Sequence, residues 1–296
     1  MPFTLSHAIA VLPGLRQGRD GMVRGRGPLI ASALVAGSFA PDAPYFADSL
    51  VHGVFRHGET THGALGVVLA DPLIAAGLVG GWFVMRGPLT ALLPHRWQGP
   101  VGTVLGCDGP VRPTARTAAW FWASATAGAA THVGWDAFTH HGRWGVRLLP
   151  FLDQDVHGWP LHKWAQYGSS AVGLAVLGVC AVRAVRAVPR EAPAPRRVPR
   201  LSRRARRAAV AGLAAGAAAG AALRCRWWWH THPGAPLADV VPTSLFGAGA
   251  GLPVAALAYA LLVRATTGRQ SPGDQWAADS QSGPTPTETS SGARNG

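Results

Sequence analysis

The stretch 131–142, THVGWDAFTHHG, decides how this chain is read. His132, Asp136 and His140 recur at i, i+4 and i+8. On a helix turning about 100° per residue these positions drift by only about 80°, so all three line one face. The residues leading in, 115–130, are almost wholly apolar and small, with Trp120, Phe121 and Trp122 among them. An apolar helix ending in two imidazoles and a carboxylate puts ionisable groups at membrane depth. They are expensive there and point to function. Metal ligation is the leading expectation; a hydrogen-bonded polar seam between helices competes with it.

Composition supports a membrane setting. The chain has 296 residues, 48% hydrophobic and 14% charged. Soluble domains carry about 25% charged residues, so this chain lacks the ions to clothe a water-facing surface. It holds 27 Lys+Arg against 14 Asp+Glu, a net charge of +13. Such a balance can serve nucleic acid, but here the arginines sit between apolar blocks, as membrane topology arranges them. Membrane lipids are therefore the expected partners, and nucleic acid is not. Lys163 is the only lysine in a chain rich in Ala, Gly, Pro and Arg, which suggests a GC-rich bacterial genome. Cys107, Cys180 and Cys225 are scattered, with no C-x-x-C, so neither a disulfide framework nor a cysteine zinc site is expected. The opening MPFTLSHAIAVLPGL has no basic segment before its apolar run and no clean cleavage site, so it is expected to stay in the mature protein.

Apolar runs at 29–46, 64–85, 117–139, 167–182, 208–223 and 241–263 predict an all-α integral membrane bundle of about six spanning helices. The run 3–15 is too short to span and predicts a short N-terminal or re-entrant helix. Asp71-Pro72 interrupts the second run and predicts a kink. Gly216 and Gly220 form a weak close-packing motif. Gly247-Ala-Gly-Ala-Gly251 lies inside an apolar run with no preceding strand, so it is no nucleotide loop. The chain divides into a membrane domain at 1–187 and a basic, Pro/Arg-rich cytoplasmic linker at 188–207. A helical hairpin at 208–265 and a disordered tail at 266–296 complete it. Alternate loops hold 21 and 6 of the basic residues. The positive-inside rule then puts the arginine-rich loop and the C-terminus in the cytoplasm of a bacterial inner membrane, with the histidine-rich loops outside.

On that topology His7, Asp42, His57, His62, His132, Asp136 and His140 all fall at the outer end of the bundle. Imidazole with carboxylate suits zinc first, with manganese or iron as alternatives. Seven candidate ligands provide for one site and leave room for two metals, the arrangement phosphate-ester hydrolases favour. Other roles compete: Asp42 after Pro41 has the chemistry of a helix N-cap, and His57 and His62 stand in a loop where solvated histidines are common. Glu59 is a candidate general acid or base, or an exposed loop charge. Asp153, Asp155, His157 and His162 are weaker candidates in the next loop.

Three pieces in order resemble the bacterial membrane-bound metal-dependent hydrolases: G-S-x-x-P-D at 37–42, H-x-x-x-T-H-G at 57–63 and H-x-x-x-D-x-x-T-x-x-G at 132–142. The opening MPFTLSHAIAVLP and the run LHKWAQYGSSAVGL at 161–174 resemble the DUF4184 family of multi-pass membrane proteins, over roughly residues 1–187. The resemblance implies a helical membrane bundle with a metal-hydrolase centre, whose ligands would come from His7, Asp42, His57, His62, His132 and Asp136. Gly58 and Gly63 depart from the hydrolase pattern, where Arg and Ser usually follow the two histidines. The expected function is a metal-dependent hydrolase of a lipid or lipid-linked phosphoester, working through metal-bound hydroxide with Asp42 and Glu59 as catalytic carboxylates. The alternative is a non-enzymatic scaffold or transporter with a structural or proton-relaying cluster.

Overall fold

The computed structural model describes residues 4–107, 114–234 and 236–267, and these are mostly helical. The expected disordered tail lies, from residue 268 onward, outside the described residues. The chain opens with a 3-10 helix, Thr4–Gly14, followed by a small antiparallel hairpin of β1 (Leu15–Gln17) and β2 (Val23–Gly25). At about 2 Å per residue, an 11-residue 3-10 helix reaches only about 22 Å, too short to cross.

The run 29–46 is not one continuous helix. It breaks into α1 (Ala31–Gly37), a 3-10 turn (Ala40–Asp42) and α2 (Ala43–Ala47). Pro41 and Pro44 cannot donate backbone hydrogen bonds and favour helix starts rather than interiors, which accounts for the break. A 3-10 turn, Val54–His57, leads to α3 (Gly58–Thr61) and then to one π turn, Gly66–Ala70, running into α4 (Asp71–Thr90). There follow α5 (His95–Val104), α6 (Ala115–Thr139), α7 (Trp144–Leu148) and a second hairpin of β3 (Asp155–Val156) and β4 (Trp159–Pro160). Three long helices complete the fold: α8 (Leu161–Arg186), α9 (Arg203–Thr231) and α10 (Val240–Thr267).

Four helices are long and apolar enough to cross a membrane: Gly66–Thr90, Leu161–Arg186, Arg203–Thr231 and Val240–Thr266. α6 matches them in length but carries more polar residues. Large apolar side chains on these helices point outward, among them Leu69, Leu73, Val172, Val179 and Leu261. Contiguous exposed apolar surface of this kind suits lipid better than water.

The expected disturbance at Asp71-Pro72 takes the form of the π turn. Pro72 has no N–H for the Val68 carbonyl four residues back; the Trp122 indole of α6 donates to it instead, at 2.8 Å. The same compensation recurs at Pro88, where Arg264 of α10 donates to the Val84 carbonyl. Each proline thus leaves a carbonyl that a neighbouring helix uses as a docking point.

The helices pack through small residues. Ala33, Ala36, Ala40, Ala75, Val79 and Ala125 form the central core of α1, α4 and α6. A Cβ on Gly37 would strike the Ala125 backbone, and one on Gly128 would strike the Leu34 carbonyl and the Ser38 amide. α9 and α10 meet in the same way: Gly216 and Gly220 face Gly251 and Gly247. The hairpin they form is joined to the rest by Tyr259, whose hydroxyl donates to the Pro88 carbonyl, and by a buried ion pair, Arg224 with Asp48, at 2.5 Å. Segment 188–202 is packed as well: Val188 and Val198 are buried, and the Ala192 and Arg197 carbonyls lie against Gly99 and Gly87.

Candidate metal centre

Three segments separated in sequence converge at one end of the bundle. α6 supplies His132 and Asp136 from one face, one turn apart. The turn Ala40–Asp42 supplies Asp42, and α3 ends on His62. The Thr61 hydroxyl donates to the Pro41 carbonyl at 2.7 Å, which ties His62 to the turn carrying Asp42. The glycine contact between α1 and α6 brings the Ser38 carbonyl to His132.

The donor atoms are spaced as ligands. His132 Nε2 lies 3.5 Å from Asp42 Oδ1 and 3.4 Å from Asp136 Oδ2; His62 Nε2 lies 3.6 Å and 3.5 Å from the same two oxygens. A tetrahedron of N and O ligands at about 2.0–2.2 Å from zinc has edges of about 3.3–3.6 Å. Four of the six separations fit those edges, and one ligand atom from each of the four residues lies within 4.8 Å of the others.

Both histidines are held in the ligating tautomer. His132 Nδ1 donates to the Ser38 carbonyl at 2.8 Å and His62 Nδ1 to the Gly58 carbonyl at 2.8 Å. With Nδ1 protonated, each Nε2 turns its lone pair towards the carboxylates. Gly58 is packed so closely on the Tyr45 ring that a Cβ would overlap it. The glycine that departs from the hydrolase pattern thus fits its surroundings and lends its carbonyl to His62.

The electrostatics also suit a dication. His132, Asp42, Asp136 and His62 are 0%, 1%, 3% and 7% exposed. Asp42 Oδ1, Asp136 Oδ1 and His132 Nε2 are buried without a hydrogen bond. Among the described residues, neither Asp42 nor Asp136 has a Lys or Arg partner. Two carboxylates buried away from water and from Lys and Arg side chains are costly, and an ion of charge +2 offsets them while using two of the orphaned atoms, Asp42 Oδ1 and His132 Nε2. The residues present fit such an ion.

A second ring of groups surrounds these four. Thr4 Oγ1 donates to Asp42 Oδ2 at 2.5 Å. In a 3-10 helix residues i and i+3 are in line, so Thr4 and His7 face the centre together. His7 stacks on His132 with ring centroids 3.7 Å apart and brings Nε2 to 3.5 Å from Asp136 Oδ1. His140, which caps α6, lies 3.3 Å from the same oxygen through Nδ1, and the Gln166 amide donates to its Nε2 at 2.7 Å. Asp136 thus turns Oδ2 towards His62 and His132, and Oδ1 towards His7 and His140.

The structure brings together His7, Asp42, His62, His132, Asp136 and His140. It places His57 and Glu59 on an exposed edge, outside that group. The sequence does not single out Thr4 and Gln166, and it marks Ser38 and Gly58 only as motif positions, not for their carbonyls. For Thr4 a signal existed, its i, i+3 spacing from His7; the carbonyls of Ser38 and Gly58 carry none.

A family model described as a domain of unknown function (DUF4184) matches residues 1–261. It reaches well beyond residue 187, where the resemblance read from the sequence stopped, and takes in α9 and most of α10. No curated protein and no solved structure matches.

Proposed function

We propose, on the premise that this chain belongs to the DUF4184 family, that its buried centre holds a divalent metal and that the protein is a metal-dependent hydrolase of a bacterial membrane. The carrying observation is the quartet His62, His132, Asp42 and Asp136, with both histidines locked in the ligating tautomer and four donor separations of 3.4–3.6 Å. Zinc suits this donor set best. A bound divalent ion lowers the pKa of a coordinated water and polarises a phosphoryl or acyl oxygen.

Around it the chain's own residues divide the work. His62, His132 and Asp136 would hold the ion, with Asp42 a fourth ligand that yields its place to water, while Thr4, His7 and His140 fix the two carboxylates. Asp42 is then also the proposed proton acceptor. Glu59, exposed one turn before His62, exchanges protons with solvent. The proposed substrate is a lipid or lipid-linked phosphoester. In support, exposed Leu65, Leu69 and Leu73 begin only three residues after His62, so a face suited to acyl chains starts beside the centre in the sequence. Six crossings, with α6 and the broken 31–47 segment added to the four apolar helices, and a centre at the outer face complete the proposal. The excess of arginine in the opposite loops supports that orientation.

The test is metal content by elemental mass spectrometry on detergent-purified full-length protein, wild type beside His132→Ala/Asp136→Ala. Near-stoichiometric zinc that the double variant loses is expected, followed by metal-dependent turnover of phosphoester substrates. No metal in the wild type after resupply would overturn the proposal.

One observation favours a second function, ion or proton transport. Asp71 is fully buried in the span Gly66–Thr90 with neither carboxylate oxygen hydrogen-bonded, and such intramembrane groups mark relays. Flux across proteoliposomes that Asp71→Asn abolishes would select transport; phosphoester turnover without flux would select hydrolysis.

A further inference from the structure

A second cluster of ligating side chains lies beside the centre but shares none of its ligands. It begins where α6 ends. His140, the capping residue, is extended (φ −126°, ψ 134°), and in extended backbone successive side chains point to opposite sides. His140 turns towards Asp136, and His141 turns away. The 3-10 turn Pro150–Asp153 then supplies Asp153, and the second residue of α8 supplies His162. Between them the β3–β4 hairpin reverses the chain through His157 and Gly158, both with positive φ (55° and 83°), the signature of a tight two-residue turn. The Leu161 amide, bonded to the Gln154 carbonyl at 3.0 Å, closes that hairpin and sets Asp153 beside His162.

His141 Nδ1 and His162 Nδ1 each lie 3.2 Å from Asp153 Oδ1. If two imidazoles merely donated hydrogen bonds to one carboxylate, both nitrogens would be satisfied. They are not. His141 is bonded to Asp153, but His162, only 3% exposed, leaves its Nδ1 buried without a hydrogen bond although the carboxylate is close. A buried imidazole nitrogen 3.2 Å from a carboxylate oxygen yet not bonded to it is costly as it stands. It gains a partner if an ion sits between the three groups. Separations of about 3.2 Å are those of ligands held at about 2.0 Å from a tetrahedral ion.

We propose that His141, Asp153 and His162 form a second divalent-cation site, for a borderline metal such as zinc, with three protein ligands and a position open to solvent. His141 and Asp153 keep side-chain exposures of 77% and 44%, so the fourth position faces outward. Three ligands with an open position are the pattern of exchangeable, substrate-accessible zinc, in contrast to closed structural sites. Two neutral imidazoles and one carboxylate leave the bound ion with a net positive charge, so the open position takes water or an anion. The two sites are neighbours through paired residues: His140 and His141 on one side, Gln166 and His162, one helical turn apart, on the other. The second site does not depend on the first being a metal centre.

Full-length protein in detergent is dialysed against micromolar zinc chloride and its zinc counted by elemental mass spectrometry. Wild type is expected to bind two zinc ions per chain. His141→Ala and Asp153→Asn, both at exposed positions, are each expected to bind one, as is His132→Ala/Asp136→Ala. Combining His141→Ala with that pair should leave none. With cobalt(II) in place of zinc, the His141→Ala variant should lose part of the visible absorption of tetrahedral cobalt. Unchanged zinc and an unchanged cobalt spectrum in both His141→Ala and Asp153→Asn would overturn the proposal. If only the His132/Asp136 pair leaves the zinc count unchanged, the central site fails and the second one stands.

Discussion

At the scale of single residues, the centre depends on groups that never touch the ion. Thr4 fixes the outer oxygen of Asp42 and leaves the inner one free to ligate. Removing such a partner typically weakens metal binding ten- to a hundredfold. Thr4→Val should therefore keep one ion in the centre but release it that much more readily to a competing chromophoric chelator. Asp48 is the second residue to test. It accepts from Arg224 and from the Gly53 and Phe55 amides. Burial alone would push its carboxyl up, but Arg224 and the two amides hold it below the usual carboxylate range. A depressed pKa stabilises the fold above the ordinary value, about 3.9, and that stability is lost as pH falls through the lower folded value. Thermal melts in detergent should lose stability below about pH 4, and Asp48→Asn should remove part of that dependence. At neutral pH the same substitution should cost about 3–5 kcal/mol, because Arg224 is left buried without its partner.

At the scale of elements, α1 and α6 decide whether the ligands meet. Their contact is backbone on backbone at Gly37 and Gly128, and it carries the Ser38 carbonyl to His132. Gly128→Leu should lower the melting temperature, with an overpacking cost of about 1–3 kcal/mol or more, and should release the metal by separating that pair. Gly134, on the same helix, has nothing near its Cβ position; Gly134→Ala should keep the metal and add up to about 1 kcal/mol of helix stability. The face of α6 was legible because i, i+4, i+8 is a local pattern. The partners from α3 and the Asp42 turn were named as candidates, yet no spacing says that residue 62 reaches residue 132, since long-range packing sets that. The run 29–46 looked like a span because hydropathy does not register how Pro41 and Pro44 break a helix. Gly216 and Gly220 looked weak because their partners, Gly247 and Gly251, lie on another helix.

At the scale of the whole molecule, the two ends of the bundle differ in kind. Loops 16–27, 102–107 and 184–198 gather at one end: Gln17 donates to the Ala184 carbonyl, Arg86 to those of Leu105 and Cys107. The segments carrying His7, Asp42, His62, His132 and His140 gather at the other. The proposed orientation predicts that a single cysteine at Arg56 or His157 reacts with an impermeant maleimide in intact cells, and one at Arg197 only after the membrane is opened. The family match through α10 and the Arg224–Asp48 pair argue that the last two helices belong to the working unit. A chain ending at residue 202 should melt lower and accumulate less than one ending at 267, as read by fluorescence-detected size exclusion.

The 3-10 helix at the chain's start has a consequence for the order of assembly. Residues 4–7 leave the ribosome before their partners: Thr4 waits for Asp42, His7 for Asp136, and Ser6 for Ser170 of α8. At about 5–20 residues per second of synthesis, the opening segment spends at least about ten seconds without its neighbours. It can settle only when α8 has been made and threaded, so this early part of the polypeptide finds its place after most of the segments that follow it. Stalled or shortened chains that stop before α8 would then carry a loose beginning, whatever the quality of their finished helices.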